Sequence, residues 1–451
     1  MEGDTEIMSK IAVIGAGPSG LAVLKTLREA GLRDITCFEA QAELGGNWVF
    51  RDTTGHASVY ETTHIISSKR LSQYSDFAMP DAYPDFPSHG QMLAYFQAYA
   101  AHFGLAPHIR FETRVVAATP VDGDRWRVAI EGPDGAGEEV FDRLVVCSGH
   151  HWDPALPDLP GAFDGRVMHA HDYRRAEPFR DRRVLVVGGG NSACDIAVAI
   201  SRVARQTAIS MRRGYHIVPK IVFGMPVDVA YRRLRHVPKP VRQRLLALML
   251  KLLVGPYRRY GLPEPARPVL EMHPTLNSEL LDRLRHGAVE TRPGLAGFEG
   301  PNVRYSDARL EAFDDVIFAT GYRTRFPFLA GSGFDWSDAV SVPLYLKMMP
   351  AGHPTLDFVG LFQPIGCIWP LAELQARIVA LQAKGVLARP ADLDARIARE
   401  VAHPHWNFER SPRHAIEIDI YDFEAELRRE IGDAWTGETL PARAGRRGQA
   451  A

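Results

Sequence analysis

Two glycine loops constrain this chain more than any other feature, each preceded by a short apolar run and followed by apolar residues at helical spacing. The first is Gly15-Ala16-Gly17-Pro18-Ser19-Gly20, between "IAVI" and "LAVLKTLREAG". The second is Gly188-Gly189-Gly190-Asn191-Ser192-Ala193, between "VLVV" and "CDIAVAI". Strand, glycine turn and helix in that order open a dinucleotide-binding unit. The fold class predicted is α/β, with two Rossmann-like dinucleotide-binding domains, the second inserted in the first.

Each part of the first loop has a mechanical role. Gly15 permits the tight turn, Gly17 lets backbone amides approach a pyrophosphate, and Gly20 lets helix meet strand. The following helix start offers free N–H donors and partial positive charge, with Pro18 and Ser19 in its first turn. "ITCFEA" reads as the next strand, ending at Glu39, at the spacing where a carboxylate accepts hydrogen bonds from a ribose. Downstream, "QAELGGNWVF" offers a second glycine turn, so Gln41, Gly46, Asn47 and Trp48 are further candidates for the same nucleotide.

In the second loop Ala193 replaces the third glycine, and one methyl still allows helix to pack on sheet. Gly188, Gly190, Asn191 and Ser192 are its candidate contacts. The next strand, "TAISM", ends on Arg212-Arg213 rather than an acid. A guanidinium binds a 2′-phosphate bidentately where a carboxylate would repel it. The first site is therefore expected to take a nucleotide with a free ribose and the second NADP(H). Two such loops in one chain suggest FAD plus NADPH. Cys37, Cys147, Cys194 and Cys367 lie far apart with no CxxC pair, so something other than a dithiol must accept the electrons.

Bulk properties exclude other classes. The formal net charge is −1 over 451 residues, which gives no support to nucleic-acid binding. The acidic start "MEGDTEIMSK" does not read as a signal peptide, and no uncharged apolar run is long enough to span a bilayer. A soluble cytoplasmic protein is expected. The histidines in "GHH" (149–151) and "MHAH" (168–171) lack metal-ligand spacing, and no metal site is expected.

Between the loops, "AYFQAYAAHFGL" reads as a helix, "IRFETRVVAATPVDGDRWRVAIEG" as a hairpin turning at Asp122-Gly123-Asp124, and "FDRLVVCSG" as a buried strand. The boundaries expected are 1–172 for the first part of the FAD domain, 173–300 for the NADPH domain, and 301–435 for the return part with the C-terminal segment. Residues 229–263 hold nine Lys or Arg and no Asp or Glu. Within them "VRQRLLALMLKLLVG" reads as a helix packed on the second domain; covering the NADPH entrance, or lying on an anionic membrane surface, are the alternatives. The tail 436–451 has the composition of a disordered end.

With these features in place, the sequence resembles the flavin-containing monooxygenases. Their fingerprint, FxGxxxHxxx followed by Tyr or Phe, is matched by Phe163, Gly165, His169 and Tyr173; the related Baeyer–Villiger enzymes carry Trp at the last position. "SSKRLSQYSDFAMP", "ATGY" at 319–322 and "VGLFQPIGCIWPLAELQARIVA" are similar to further segments of the family. The resemblance implies FAD at the first loop, with Gln363 on the flavin side, and NADPH at the second, with Thr320 nearby. It implies that the fingerprint lies at the domain junction, with His169 coupling cofactor movement to domain geometry, whereas Phe163 and Tyr173 are read simply as residues that pack the linker. It also implies a reaction: O2 and a C4a-(hydro)peroxyflavin oxygenate a small amine, such as N,N-dimethylaniline, or a sulfide. One departure stands out. Many members carry Asn where "IISSK" places Ile66, which has no hydrogen-bonding group; His64, two residues earlier, could compensate only if a local shift turned it inward, and a surface histidine is the preferred reading. Ketone oxygenation and an uncoupled NADPH oxidase stay open, as does a homodimer.

Overall fold

The computed structural model describes residues 9–53, 59–404 and 408–435. The 436–451 tail lies outside the described residues. Two five-stranded parallel sheets organise the chain, each holding one glycine loop at the end of its central strand.

The first sheet runs in the spatial order Leu356–Phe358, Arg143–Val146, Ile11–Ile14, Ile35–Phe38, Ile109–Arg110. Ile11–Ile14 is buried throughout because helices and loops cover both faces of a parallel sheet, and such strands read as continuous apolar runs. Pro18–Glu29 is the helix that follows the loop; proline fits its first position, where no N–H is needed. It packs against Trp369–Ala383, a helix buried almost from end to end. The hairpin expected at Asp122–Asp124 forms between Arg114–Val121 and Arg125–Gly132, with Gly123 and Asp124 both at positive φ. A third strand, Gly135–Phe141, extends it. Its polar, glycine-bearing sequence carries no strand signal.

The second sheet has the order Glu290–Arg292, Gln206–Ser210, Arg183–Val187, Asp315–Phe318, Arg166–His169. This corrects the expected boundaries. A break at 172/173 removes the edge strand Arg166–His169 from its sheet, and a break at 300/301 removes Asp315–Phe318. The chain leaves the first unit through Asp153–Pro154 and returns through Tyr322–Arg323, which pair antiparallel as a two-stranded hinge. It rejoins the first sheet at Leu356–Phe358, so the second unit is an insertion. Asp315 is fully buried in the strand next to the centre and accepts hydrogen bonds from Arg166 and Arg182, closing that sheet on the side where it begins.

The basic segment forms the helices Val227–Arg232 and Lys239–Leu253. Leu250, with Leu246 and Met249 beside it, packs on the core of the second unit, as expected for an added helix. Arg242 and Lys239 reach Asp419 and Asp422 at the start of the C-terminal helix Ile420–Ile431.

Candidate active site

The first loop shows why it needs its glycines. Gly15 sits at φ +100°, and a Cβ there would stand 2.8 Å from the Cys147 carbonyl oxygen. A Cβ on Gly20 would lie 1.9 Å from the Gly15 carbonyl oxygen, so helix and turn close only over a hydrogen. Gly17 differs: its Cβ would meet only Gly46 Cα, at an ordinary 3.6 Å. Protein packing does not demand glycine there, which leaves approach by a ligand as the reason. The Gly46 turn folds back on Gly17, and Gly46–Trp48 forms a 3-10 turn. The two glycine turns expected from sequence thus form one cradle. Gly17 caps the helix with no side-chain bond, leaving the first N–H groups for an anion.

Glu39 stands just past its strand and is buried. Its two oxygens accept from the Ala16 and Gln41 amides, each at 2.8 Å. Burial pushes its pKa up and those amides pull it back. Held on both sides of the loop, the carboxylate keeps lone pairs for ribose hydroxyls. Among the other candidates, the Ser19 side chain packs against Gly360, and the Pro18 carbonyl accepts from the Tyr74 hydroxyl at 2.6 Å. Trp48 packs edge-on against Trp369. Asn47 is bonded within the protein.

The second loop repeats the plan. Gly188, at φ +139°, would place a Cβ 2.4 Å from the Ala319 carbonyl oxygen, and its amide donates to Ser210. Ala193 is accommodated in full burial, as expected. Asn191 Oδ1 accepts from the Leu276 amide at 2.8 Å, which leaves its NH2 group as the available donor, while Ser192 is exposed. Thr320 donates to the Ala155 carbonyl at 2.5 Å, across the hinge.

The two arginines at the strand end separate. Arg213 is ion-paired with Glu409. Arg212, two residues past the Ser210 carbonyl that anchors the loop, is exposed and has no carboxylate partner among the described residues. Two residues that the sequence reading missed complete the site. The Tyr215 ring lies so close that a Cβ on Gly189 would stand 2.3 Å from it, which accounts for a third consecutive glycine. Arg413, from near the C-terminus, reaches Gly190: a Cβ there would stand 3.2 Å from its guanidinium. Arg413 also donates to the Tyr215 hydroxyl at 3.2 Å. The field is positive here, since burial and then Arg413 and Arg213 push His414 down to about 3. The basic run "RSPRH" at 410–414 was the available signal, but nothing local tied it to a loop two hundred positions earlier.

Between the loops, the carboxyl ends of both sheets meet. His150 and His151 follow the first sheet's strand Arg143–Val146, while in the second sheet His169 ends the strand Arg166–His169 and Tyr322 follows Asp315–Phe318. Their rings touch in sequence: His150–His151 at 4.3 Å, His151–Tyr322 at 5.2 Å, Tyr322–His169 at 5.3 Å. His150 Nε2 donates to Gln363 Oε1 at 3.4 Å, and its buried Nδ1 and the buried Ser148 hydroxyl lack protein partners. Burial holds both His150 and His169 down at about 4, so both imidazoles are uncharged at neutral pH. Ligands of open parallel sheets bind at this end of the strands. Phe163 packs on Phe298, and Tyr173 on Tyr60 and Phe179, as linker packing predicts. Among the described residues no group of three or more His, Cys, Asp and Glu is placed to hold a metal ion.

His64 is a surface histidine, the reading preferred from the sequence. Its ring is exposed and its Nδ1 is engaged by the Thr62 carbonyl at 3.0 Å, because the local chain pairs with Ser88 and turns the ring outward. The neighbours of Ile66 are instead tied to the inserted unit: the Ser68 amide and hydroxyl both donate to Asp228 Oδ2, at 2.6 and 2.9 Å.

Two nucleotide cradles whose sheets meet end to end define a two-dinucleotide oxidoreductase. A profile described as flavin-binding monooxygenase-like matches residues 8–434. The chain belongs to that family, a class of flavin-dependent monooxygenases using NADP(H). It is 36% identical over 444 residues to flavin-containing monooxygenase 5 of Homo sapiens, covering 94% of this chain and 83% of the relative. It is 35% identical over 448 residues to dimethylaniline monooxygenase (N-oxide-forming) 2 of Rattus norvegicus, with the same coverage. The structure of S-allyl-L-cysteine S-oxygenase from Allium sativum superposes with a TM-score of 0.67 at 25% identity, covering 93% of this chain and 88% of the other.

Proposed function

We propose that the chain uses FAD in the first cradle and NADPH in the second to transfer one oxygen atom of O2 to a small amine or sulfide. The convergence of both parallel sheets on one cluster of neutral imidazoles carries this reading, because it gives hydride a short path between the two cradles. The flavin, when bound, supplies the electron transfer and the oxygen chemistry. The protein's part is placement. Glu39 holds the ribose of the first nucleotide, and the amides after Gly17 hold its diphosphate. Arg212 reads the 2′-phosphate of the second, and Arg413 with the amides after Gly190 holds its pyrophosphate. Uncharged His150 and His169 offer hydrogen bonds at the junction without drawing in the water that a charged pair would, and a dry site suppresses release of peroxide. The buried, unpaired cysteines fit a reducing cytoplasm.

Ile66 supports a second reading, an NADPH oxidase. It stands half-buried beside Ser67 and Ser68 and offers no hydrogen bond where the family commonly has an amide. Product analysis decides between the two. The purified flavoprotein is supplied with NADPH, O2 and a methyl sulfide, a tertiary amine or a cyclic ketone, and peroxide is measured alongside products. Sulfoxide or N-oxide in near-stoichiometric ratio to NADPH supports oxygenation of soft nucleophiles. Lactone alone overturns the substrate class, and peroxide equal to NADPH with every substrate establishes the oxidase.

A further inference from the structure

One stretch of the first unit, residues 60–74, runs from one nucleotide cradle to the other and is anchored at each by a tyrosine hydroxyl. At one end the Tyr74 hydroxyl donates at 2.6 Å to the carbonyl of Pro18, the first residue of the helix that leaves the first glycine loop. At the other end the Tyr60 hydroxyl donates to Asp195 Oδ2 at 3.2 Å, and Asp195 stands in the helix Asn191–Ile200 that leaves the second loop. Both tyrosines are buried. A tyrosine ring packs like any apolar body, and its hydroxyl fixes what the ring lies against. Here each hydroxyl has found the helix whose start we assign to a diphosphate.

The stretch is stiff along its length. Tyr60 sits in a closed turn: its amide donates to the Thr63 hydroxyl at 2.9 Å, and its carbonyl accepts from the Thr63 amide at 2.8 Å. Its ring lies edge-on to Tyr173 at 5.5 Å, and the Glu61 amide donates to the Arg174 carbonyl of the inserted unit. Asp195 is fixed in turn. Its other oxygen accepts from Asn277 at 2.6 Å, beside Leu276, whose amide donates to Asn191 at the second loop. Midway, Ser68 is bonded to Asp228 of the inserted unit, while the Ile65 and Lys69 amides donate to the Pro87 and Asp85 carbonyls of the first. The Tyr74 amide donates to the Tyr95 hydroxyl at 2.9 Å. The hinge of Asp153–Pro154 and Tyr322–Arg323 joins the two units along one narrow line and leaves rotation about that line open. A rigid strap that meets both units again at their cradle helices closes off that rotation.

We infer that the strap 60–74 sets the relative placement of the two cradles for hydride transfer, with Tyr60 and Tyr74 as positioning residues that act through Asp195 and Pro18. The inference rests on the proposed assignment of FAD to the first cradle and NADPH to the second. The step served moves one hydride, with both its electrons, from the reduced nicotinamide to the oxidised flavin. Such a step needs the reacting atoms within about 3–3.5 Å of each other, and a displacement of about 1 Å costs up to about a hundredfold in rate. Two hydroxyls that hold whole units in place can therefore govern the rate while taking no part in the chemistry.

The test uses the full-length flavoprotein. Mixed anaerobically with NADPH in a stopped-flow instrument, it loses its flavin absorbance in a single turnover, and the dependence on NADPH separates the limiting rate from the dissociation constant. Tyr60→Phe and Tyr74→Phe should each lower the limiting rate by about tenfold, with the dissociation constant within about twofold of wild type and flavin content unchanged. A strap cut at either end is cut, so the double variant should be little slower than the slower single one, whereas two unrelated packing defects would multiply. Asp195→Asn keeps a partner for the Tyr60 hydroxyl and should retain most of the rate that Asp195→Ala loses. A second readout needs no coenzyme: spin labels at Asp134→Cys and Arg205→Cys, exposed positions on the first and the inserted unit, report how the units sit, the natural cysteines being buried. The distance distribution should broaden in Tyr60→Phe. Reduction of Tyr60→Phe at the wild-type rate, a loss confined to the dissociation constant, multiplying losses in the double variant, or an unchanged label distribution overturns the strap. A wild type that NADPH does not bleach overturns instead the cofactor assignment on which the strap's role rests.

Discussion

Replacing Arg212 by Ala should raise the Michaelis constant for NADPH by about tenfold and leave that for NADH within about twofold. The structure sets the size. A guanidinium–phosphate pair contributes about 1.5–3 kcal/mol, and the exposure of Arg212 puts it at the lower end, near the 1.4 kcal/mol that corresponds to tenfold. Arg213 is the internal control. Its charge is already spent on Glu409, so Arg213→Ala should change the NADPH constant by less than about threefold. Arg413→Ala is the third arm. It lies at Gly190, where we place the pyrophosphate that both coenzymes share, and its loss should weaken NADPH and NADH alike. Steady-state oxidation of each coenzyme gives the constants, and calorimetric binding of 2′,5′-ADP against 5′-AMP checks them without turnover. A larger loss from Arg213→Ala than from Arg212→Ala, or equal losses for both coenzymes from Arg212→Ala, would refute the assignment of the 2′-phosphate.

Other outcomes follow from single distances or burials. Gly20→Ala forces a methyl to 1.9 Å from the Gly15 carbonyl oxygen and should yield protein without bound flavin, whereas Gly17→Ala should fold normally and hold flavin more weakly; full flavin content in Gly20→Ala, read from its absorbance, contradicts the cradle. His150 is held at about 4 in the folded chain against an ordinary 6.5, so the unfolded state binds the extra proton as pH falls from 6.5 towards 4. Its contribution to stability is complete above 6.5 and shrinks through that window, by about 3 kcal/mol in all. His150→Gln should therefore lose less Tm than wild type on acidification from neutral pH to about 5, and parallel curves would remove His150 as a source of the slope. Ile66→Asn should lower the peroxide formed per NADPH consumed; an unchanged ratio would show that position 66 does not govern coupling.

Both glycine loops were readable because their requirement is local. A positive φ, a helix start and a strand end lie within ten residues of one another, and the glycine spacing records all three. The same holds for Glu39, two short elements away, and for the tolerance of Ala193. The edge strand Arg166–His169 was not readable. Arg166 and Val167 are exposed at the sheet's rim, so no apolar run betrays a strand, and the strand beside it arrives some 150 residues later. This is why the second unit is wider than its sequence boundaries suggested.

The sequence by itself determined that this chain carries two glycine loops of the dinucleotide-binding kind on α/β units and that the second unit ends its key strand on arginine, since glycine freedom and charge are properties of the residues themselves. Only the tertiary structure decided which arginine is free. Glu409 neutralises Arg213 and Arg413 reaches Gly190 because the C-terminal segment crosses the second loop before its strand Glu417–Ile418 pairs beside Gln363. It likewise decided that one side of a basic helix meets the core while the other meets solvent. Periodicity fixes which residues share a face, but not what the rest of the chain lays against it.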